Sequence, residues 1–386
     1  MQAPARIWRH FDVWLLATVA LLTIAGVAMI RSAIADNPEL VELNVVGRQA
    51  IFGLVSLVLL LVTAAIDYRV WAALSRPIYI FNLIFLALIP IAGVAGFGSA
   101  RWFQLATVTI QPSELAKILV ILVLANFLAR NQERIGEMRT ILKSLALVAV
   151  PAALILIQPD LSTAIVLMVI WLALVWAAGV RMSRLGILLA VVFLIAVVMA
   201  PLLINYIVRG YPAGEDFFFL RNYQMTRVVN FLFPNPEERF GDIYNVEQAL
   251  ISIGSGGLLG QGYGSGTQVQ LRFLKVRHTD FIFSSMSQEF GFIGAIAFLL
   301  LIMFVVYRCL RAARIARDGF GSLICYGVAI LLLFQASFNV GMNLNLLPVS
   351  GLPLPFLSQG GSSLLTTLLG IGLVESVILR HKRIEL

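Results

Sequence analysis

Apolar runs about twenty residues long recur almost from end to end of this chain, and few folds are open to such a pattern. Inside a bilayer every backbone N–H and C=O must be satisfied within the protein, so these runs become helices, one crossing for about 20 residues. At that length the candidate crossings lie at approximately 12–30, 47–66, 78–97, 112–129, 141–158, 162–180, 185–207, 281–307, 321–345 and 360–379. Composition agrees: 12% of the residues are charged, against about 25% in soluble domains, and the mean hydropathy is +0.93. The expectation is an all-α polytopic membrane protein of ten transmembrane helices. Residues 1–386 then form one membrane domain rather than two or three soluble ones.

Charge sets the topology. Arg6 and Arg9, Arg69 and Arg76, Arg130 to Lys143, Arg181 and Arg184, Arg308 to Arg317, and Arg380 to Arg383 fall in alternate connections. The intervening short connections hold little beyond Arg31, Arg48 and Arg101. By the positive-inside rule both termini are cytoplasmic, and the net charge of +8 belongs to cytoplasmic loops, implying no nucleic-acid partner. The stretch 208–280 is then a large extracytoplasmic loop between helices 7 and 8, whose mixed aromatics and balanced charges predict a folded, membrane-lying cap. Cys309 and Cys325 suggest no disulfide framework. The first apolar run lacks a small-residue cleavage site and reads as a retained span.

Ionisable residues at membrane depth are informative, because each is costly unless paired or facing water. In "IQPSELAKILV", Glu114 and Lys117 stand three apart behind Pro112, on one helix face, as a functional pair or an architectural one. In "IQPDLSTA", Asp160 starts a helix, where an acid also simply favours the helix dipole. In "GSARWFQL", Arg101 runs against the outer charge bias; it suits bidentate phosphate binding, and equally snorkelling to headgroups. The run "ISIGSGGLLGQGYGSGTQ" holds seven glycines without a P-loop ending or a preceding strand. It reads as a short helix and tight turns, with anion binding by its N–H groups as the lesser option. "LLPVSGLPLPFLSQGGSSLL" suits a re-entrant loop lining a cavity, with Ser358, Gln359 and Ser362 as polar groups; helix capping by Ser362 and Ser363 is the plainer reading. In "VRHTDFIFSSMSQEF", Asp280 sits at the edge of the eighth span behind Arg277 and His278, with Glu289 deeper. Desolvation raises such a carboxyl's pKa and Arg277 or Lys275 lowers it, a balance the sequence leaves open.

Six strings in register, "GSARWFQL", "IQPSELAKI", "QPDLSTA", "GSGGLLGQGYGSGTQ", "HTDFIFS" and "LPLPFLSQGGSSLL", carry a resemblance. The chain resembles the SEDS family (shape, elongation, division and sporulation), of the RodA and FtsW type, over essentially its full length. The resemblance implies ten transmembrane helices with the large loop between the seventh and eighth, as hydropathy does. It also implies a peptidoglycan glycosyltransferase of the bacterial inner membrane that polymerises lipid II, a disaccharide-pentapeptide on an undecaprenyl diphosphate carrier, during elongation or division. The family's essential acid falls on Asp280, its paired charges on Glu114 and Lys117, and its loop arginine on Arg101. Substrate contacts are expected from these and from Asp160, Arg277, His278, Ser358, Gln359 and Ser362. The chain departs from many relatives in reading "LKVRHTD" without a Pro-Glu pair, and in carrying Gln359 where a tyrosine is usual. The short termini and "GSGTQVQLRFL" lean to RodA.

The implied reaction is an inverting glycosyl transfer in which Asp280, as general base, takes the proton of the acceptor's C4 hydroxyl. The departing diphosphate needs positive charge from Arg101, Lys117, Arg277 or a divalent cation, magnesium or manganese; no organic cofactor is implied. Two other readings stand beside it. A flippase for the lipid-linked precursor would use the same polar cavity and broken loop. A scaffold would pair with a class B penicillin-binding protein, a single-span transpeptidase, through the outer loop.

Overall fold

The computed structural model describes residues 8–96, 99–105, 108–207, 222–233 and 241–381. Arg6, Lys382, Arg383 and loop residues 208–221 and 234–240 lie outside the described residues. Each of the ten apolar runs coincides with a helix: α1 (Val13–Ile34), α2 (Val45–Ala65), α3 (Ser75–Ala87), α4 (Pro112–Arg130), α5 (Met138–Ile157), α6 (Leu161–Ala177), α7 (Met182–Asn205), α8 (Ile282–Ile315), α9 (Gly319–Asn343) and α10 (Gly361–Leu379). Seven of these, α1, α2, α4, α5, α8, α9 and α10, are long and apolar enough to cross a membrane, and α3 with its continuation and α6 are shorter apolar helices. The chain is a multi-pass helical membrane protein.

α4 lies at the centre, packed by α3, α5, α6, α9 and α10. Neighbours on all sides explain why it is apolar all round, and why a charged pair can sit on it away from lipid. α2 and α10 form the most intimate pair, because Gly372 admits the backbone of Leu60: a Cβ there would lie 2.7 Å from the Leu60 carbonyl oxygen. Capping follows local chemistry, with Asp12, Asp160 and Asp318 each accepting a first-turn N–H, from Leu15, Thr163 and Gly321.

Two expected boundaries are corrected. The third run, read to residue 97, is helical only to Ala92 (α3, then Ile89–Ala92), and the chain then forms a small antiparallel meander. Its strands are β1 (Val94–Gly96), β2 (Ser99–Leu105) and β3 (Val108–Ile110), with Phe103 opposite Ile110. Apolar content alone cannot separate a strand from a helix end; Pro90, the glycines and the β-branched residues decide it here. The eighth run, read to 307, continues as helix to Ile315 and carries Arg308, Arg311 and Arg314 with it.

α8 is broken at Gly291 (φ 66°, ψ −169°), and the glycine run repairs the break. The N–H groups of Phe292 and Ile293 donate to the carbonyls of Gly257 and Leu258 at 2.9 and 3.1 Å. In return, Gln261 and Gly262 donate to the carbonyls of Gln288 and Glu289, both at 3.0 Å. A Cβ at Gly260 would overlap the Glu289 carbonyl. The run is therefore a helix end followed by turns, and these two amides are occupied by protein carbonyls rather than an anion. Of the long loop, Asn222–Leu232 and Asp242–Ser255 are helices, and the second packs on α8.

Candidate active site

The segment from Val276 to Phe281 is a run of turns leading into α8, and its carbonyls are held one by one. Arg277 O accepts from Ser285 Oγ at 3.3 Å, His278 O from the amide of Gln359 at 3.0 Å, and Thr279 O from Ser358 Oγ at 2.7 Å. Asp280 O accepts from both Asn339 Nδ2 and Asn343 Nδ2, each at 3.1 Å. Those two asparagines lie one turn apart on α9 and are fully buried. Asn343 Oδ1 in turn accepts from Ser284 N at 3.2 Å and Ser284 Oγ at 2.6 Å. The backbone bearing Asp280 is thus fixed by α8, α9 and the α9–α10 connection together.

The carboxylate of Asp280 faces that same connection: a Cβ on Gly351, where φ is 74°, would lie 3.8 Å from its Oδ2. That is ordinary contact distance, so it is the positive φ, not lack of space, that favours glycine beside the acid. The preceding residue, Ser350, accepts from Ser162 Oγ at 2.7 Å and lines a cavity with Arg101, Asp160, Ser162, Gln224 and Arg227. Asp280 therefore stands one residue from the lining of a cavity that sets two arginines and Asp160 among apolar side chains such as Ile165, Val228 and Phe338.

Asp160 is the organiser of that cavity's floor. It caps α6 through Thr163 N at 3.1 Å and accepts from Thr163 Oγ1 at 2.9 Å and Ser113 Oγ at 3.2 Å, with Gln111 Nε2 at 3.4 Å. Arg101 donates to the carbonyls of Gln158 (3.2 Å) and Pro159, bracing the turn before Asp160. Ser362 ties α10 to the strand end, accepting from Gln111 N at 3.1 Å and donating to Thr109 O at 3.0 Å. One residue further into α4 begins the charged pair: Lys117 Nζ lies 2.8 Å from Glu114 Oε1, both side chains buried.

Arg277 is placed differently from a leaving-group contact. It is 4% exposed, forms an ion pair with Asp36 and donates to the carbonyls of Ala33 and Leu274, so it fastens the turn to the end of α1. Burial lowers its pKa, opposed by the Asp36 charge. His278 is mostly buried beside that guanidinium; burial first, then the Arg277 charge, push it down to about 4, so the ring is neutral near pH 7. Ser358 and Gln359 act through a hydroxyl donor and a backbone amide that hold the acid's turn. Sequence reasoning missed Asn339, Asn343, Asp36, Gln111 and Ser113; two asparagines four apart inside an apolar run were the signal available for the first pair.

Fold and site together define a polytopic helical membrane protein with a buttressed acid at one end of its bundle. Comparison with known proteins narrows this. The family model described as FTSW_RODA_SPOVE, cell cycle protein, matches residues 12–383. The chain is 33% identical over 383 residues to a probable peptidoglycan glycosyltransferase FtsW of Coxiella burnetii, covering 97% of this chain and 98% of the relative. It is 34% identical over 376 residues to the peptidoglycan glycosyltransferase MrdB of Escherichia coli K12, covering 97% and 95%. A solved peptidoglycan synthase complex, described as coordinating polymerization and crosslinking, contains a chain that superposes with a TM-score of 0.78 at 28% identity, over 96% of this chain and 98% of that one. The chain belongs to the FtsW/RodA/SpoVE family.

Proposed function

We propose that this protein is a peptidoglycan glycosyltransferase that polymerises lipid II, with Asp280 as the general base. The observation that carries the reading is the buttressing of the Arg277–Asp280 turn, in which four successive carbonyls are each held by another part of the chain. Such preorganisation is what a base needs when it must meet one hydroxyl at hydrogen-bond distance. Asp280 accepts the proton of the acceptor's C4 hydroxyl as that oxygen attacks the anomeric carbon of the growing chain. The C–O bond to the diphosphate breaks on the opposite face, and the configuration inverts. The lipid diphosphate departs with the bonding electrons, and its charge is met by the arginines of the cavity, Arg101 and Arg227. In this scheme Arg277 and neutral His278 position the acid, and Glu114 with Lys117 supports the floor.

Among the described residues no three His, Cys, Asp or Glu side chains cluster as a metal site. A divalent cation would therefore be met mainly by the substrate's diphosphate oxygens, a donor set that suits magnesium, leaving the Asp280 carboxylate to take the proton. It would supply charge neutralisation at the leaving group.

The charge pattern supports placement in the inner membrane with both termini cytoplasmic and the Asp280 end outside. The similarity to a chain of a synthase complex supports pairing with a crosslinking partner, a class B penicillin-binding protein. The deciding experiment is polymerisation of lipid II by purified protein reconstituted with that partner. Asp280→Asn should bind lipid II and form no glycan; glycan formed by that variant removes Asp280 as base. Translocation of labelled lipid II with no polymer from the native protein would favour a flippase instead.

A further inference from the structure

A second cavity lies at the opposite end of the bundle, where the segment before α1 meets the ends of α8 and α10, with a volume of about 330 Å³. Arg308 in its wall lies roughly 24 Å along α8 from Phe292 at 1.5 Å per residue, beyond the Gly291 break from Asp280, so this cavity is remote from the acid. Its polar lining is basic: His10, Arg308, Arg311 and His381, with Asp12 as the one carboxylate in the lining. Asp12 is already engaged, capping α1 through Leu15 N and accepting from Nε and Nη2 of Arg308. That engagement orients Arg308, and its Nη1 carries no protein hydrogen bond among the described residues. Arg311 is exposed and has no protein partner there either.

Two of the chain's three histidines meet at this cavity, His10 and His381, edge to face with ring centroids 5.1 Å apart. His381 Nδ1 lies 2.6 Å from the carbonyl of Ile378; an Nδ1 that donates there leaves Nε2 as an acceptor for a hydroxyl. The remaining wall is apolar and faces outward: Val13 is 66% exposed, Trp14 71% and Ile315 38%. At the end of membrane helices such side chains meet acyl chains, and a tryptophan there sits at headgroup level. Fixed positive charge, a hydroxyl acceptor and an apolar flank thus adjoin within one cavity.

We propose that this cavity binds the phosphodiester headgroup of an anionic phospholipid, with Arg308 and Arg311 on the phosphate, His381 on a headgroup hydroxyl, and Val13 and Trp14 along the first acyl carbons. A soluble phosphate ester shares the phosphate chemistry but has no use for the apolar flank, which is why the lipid is favoured. The inference is independent of the glycosyl-transfer reading.

The test is native mass spectrometry of the full chain in detergent, titrated with phosphatidylglycerol and with phosphatidylcholine. The native protein should retain the anionic lipid preferentially. Arg311→Gln should weaken it about tenfold, as loss of one charge-assisted phosphate contact implies, and Arg311→Lys should recover part of that loss. His381→Gln gives a second, independent readout, a weakening of about threefold. Arg314→Gln, one turn on and outside the cavity, should change binding less than about twofold. The proposal falls if Arg311→Gln binds as the native protein does, or if Arg314→Gln weakens binding equally. It falls also if glycerol 3-phosphate or inorganic phosphate displaces the lipid at matched concentration, which would make the occupant a soluble phosphate.

Discussion

At the scale of single residues, the acid's position rests on groups that do no chemistry. Asn343 shows this most sharply, since its amide serves Asp280 O while its carbonyl serves both donors of Ser284. Asn343→Leu should cost about 2 kcal/mol of stability, because buried polar groups lose their partners. With Asp280 as the proposed base, it should also lower kcat about tenfold with little change in KM for lipid II, since binding groups stay in place while Asp280 shifts. Thermal unfolding and steady-state polymerisation read the two effects separately. His278 adds a pH signature. Its folded pKa of about 4 lies below the ordinary 6.5, so between those values the unfolded chain takes up a proton that the folded chain excludes. Its stabilising contribution is therefore complete above pH 6.5 and falls as the pH drops towards 4. His278→Gln should flatten that part of the profile of unfolding temperature against pH.

At the scale of elements, the helices were legible because lipid leaves an apolar run no other regular structure, and helix starts at Pro112 and Asp160 followed from capping chemistry. What stayed hidden involves residues distant in sequence. Arg277 read as a cation for a leaving group because its partner, Asp36, lies at the far end of the first helix. Ser358 and Gln359 read as substrate contacts because their side chains are polar, whereas the structure uses a hydroxyl and a main-chain amide to hold another segment's backbone. The strands β1 to β3 are hidden because a short, glycine-containing stretch beside an apolar helix carries no helical or alternating period to separate them. The glycine run reads as turns from its sequence, but its role in mending α8 depends on the positive φ of Gly291, which no local pattern shows. Gly260→Ala tests that junction: with φ at 83° and the Glu289 carbonyl in the way, the variant should lose at least about 2 kcal/mol in unfolding measurements. The Glu114–Lys117 pair on α4 invites a parallel test. Lys117→Met alone leaves a buried carboxylate and should cost about 3–5 kcal/mol, whereas Glu114→Gln with Lys117→Met should recover most of it if the pair is architectural. Restored stability without restored polymerisation would instead assign the pair a part in the reaction.

At the scale of the whole molecule, the two ends of the bundle differ in character. His10 and His381 are in contact, so the first and last helices begin and end on one face, and Arg308, Arg311 and Arg314 gather there with Arg69 and Arg380. The other face holds Asp280, the cavity of Arg101 and Asp160, and the loop helices. Under the proposed function the acid faces the displayed lipid-linked sugar, and the charge rule expects the charge-rich end on the cytoplasmic side, so the two expectations agree on one orientation. Cysteine labelling in intact cells can check it with little background, because Cys309 and Cys325 are both buried. Leu259→Cys, at a position 80% exposed beside the glycine turns, should react with a membrane-impermeant maleimide added outside. Arg314→Cys, also exposed, should react only after permeabilisation. The reverse pattern would put Asp280 in the cytoplasm, away from the growing glycan, and the catalytic reading would fail with the topology.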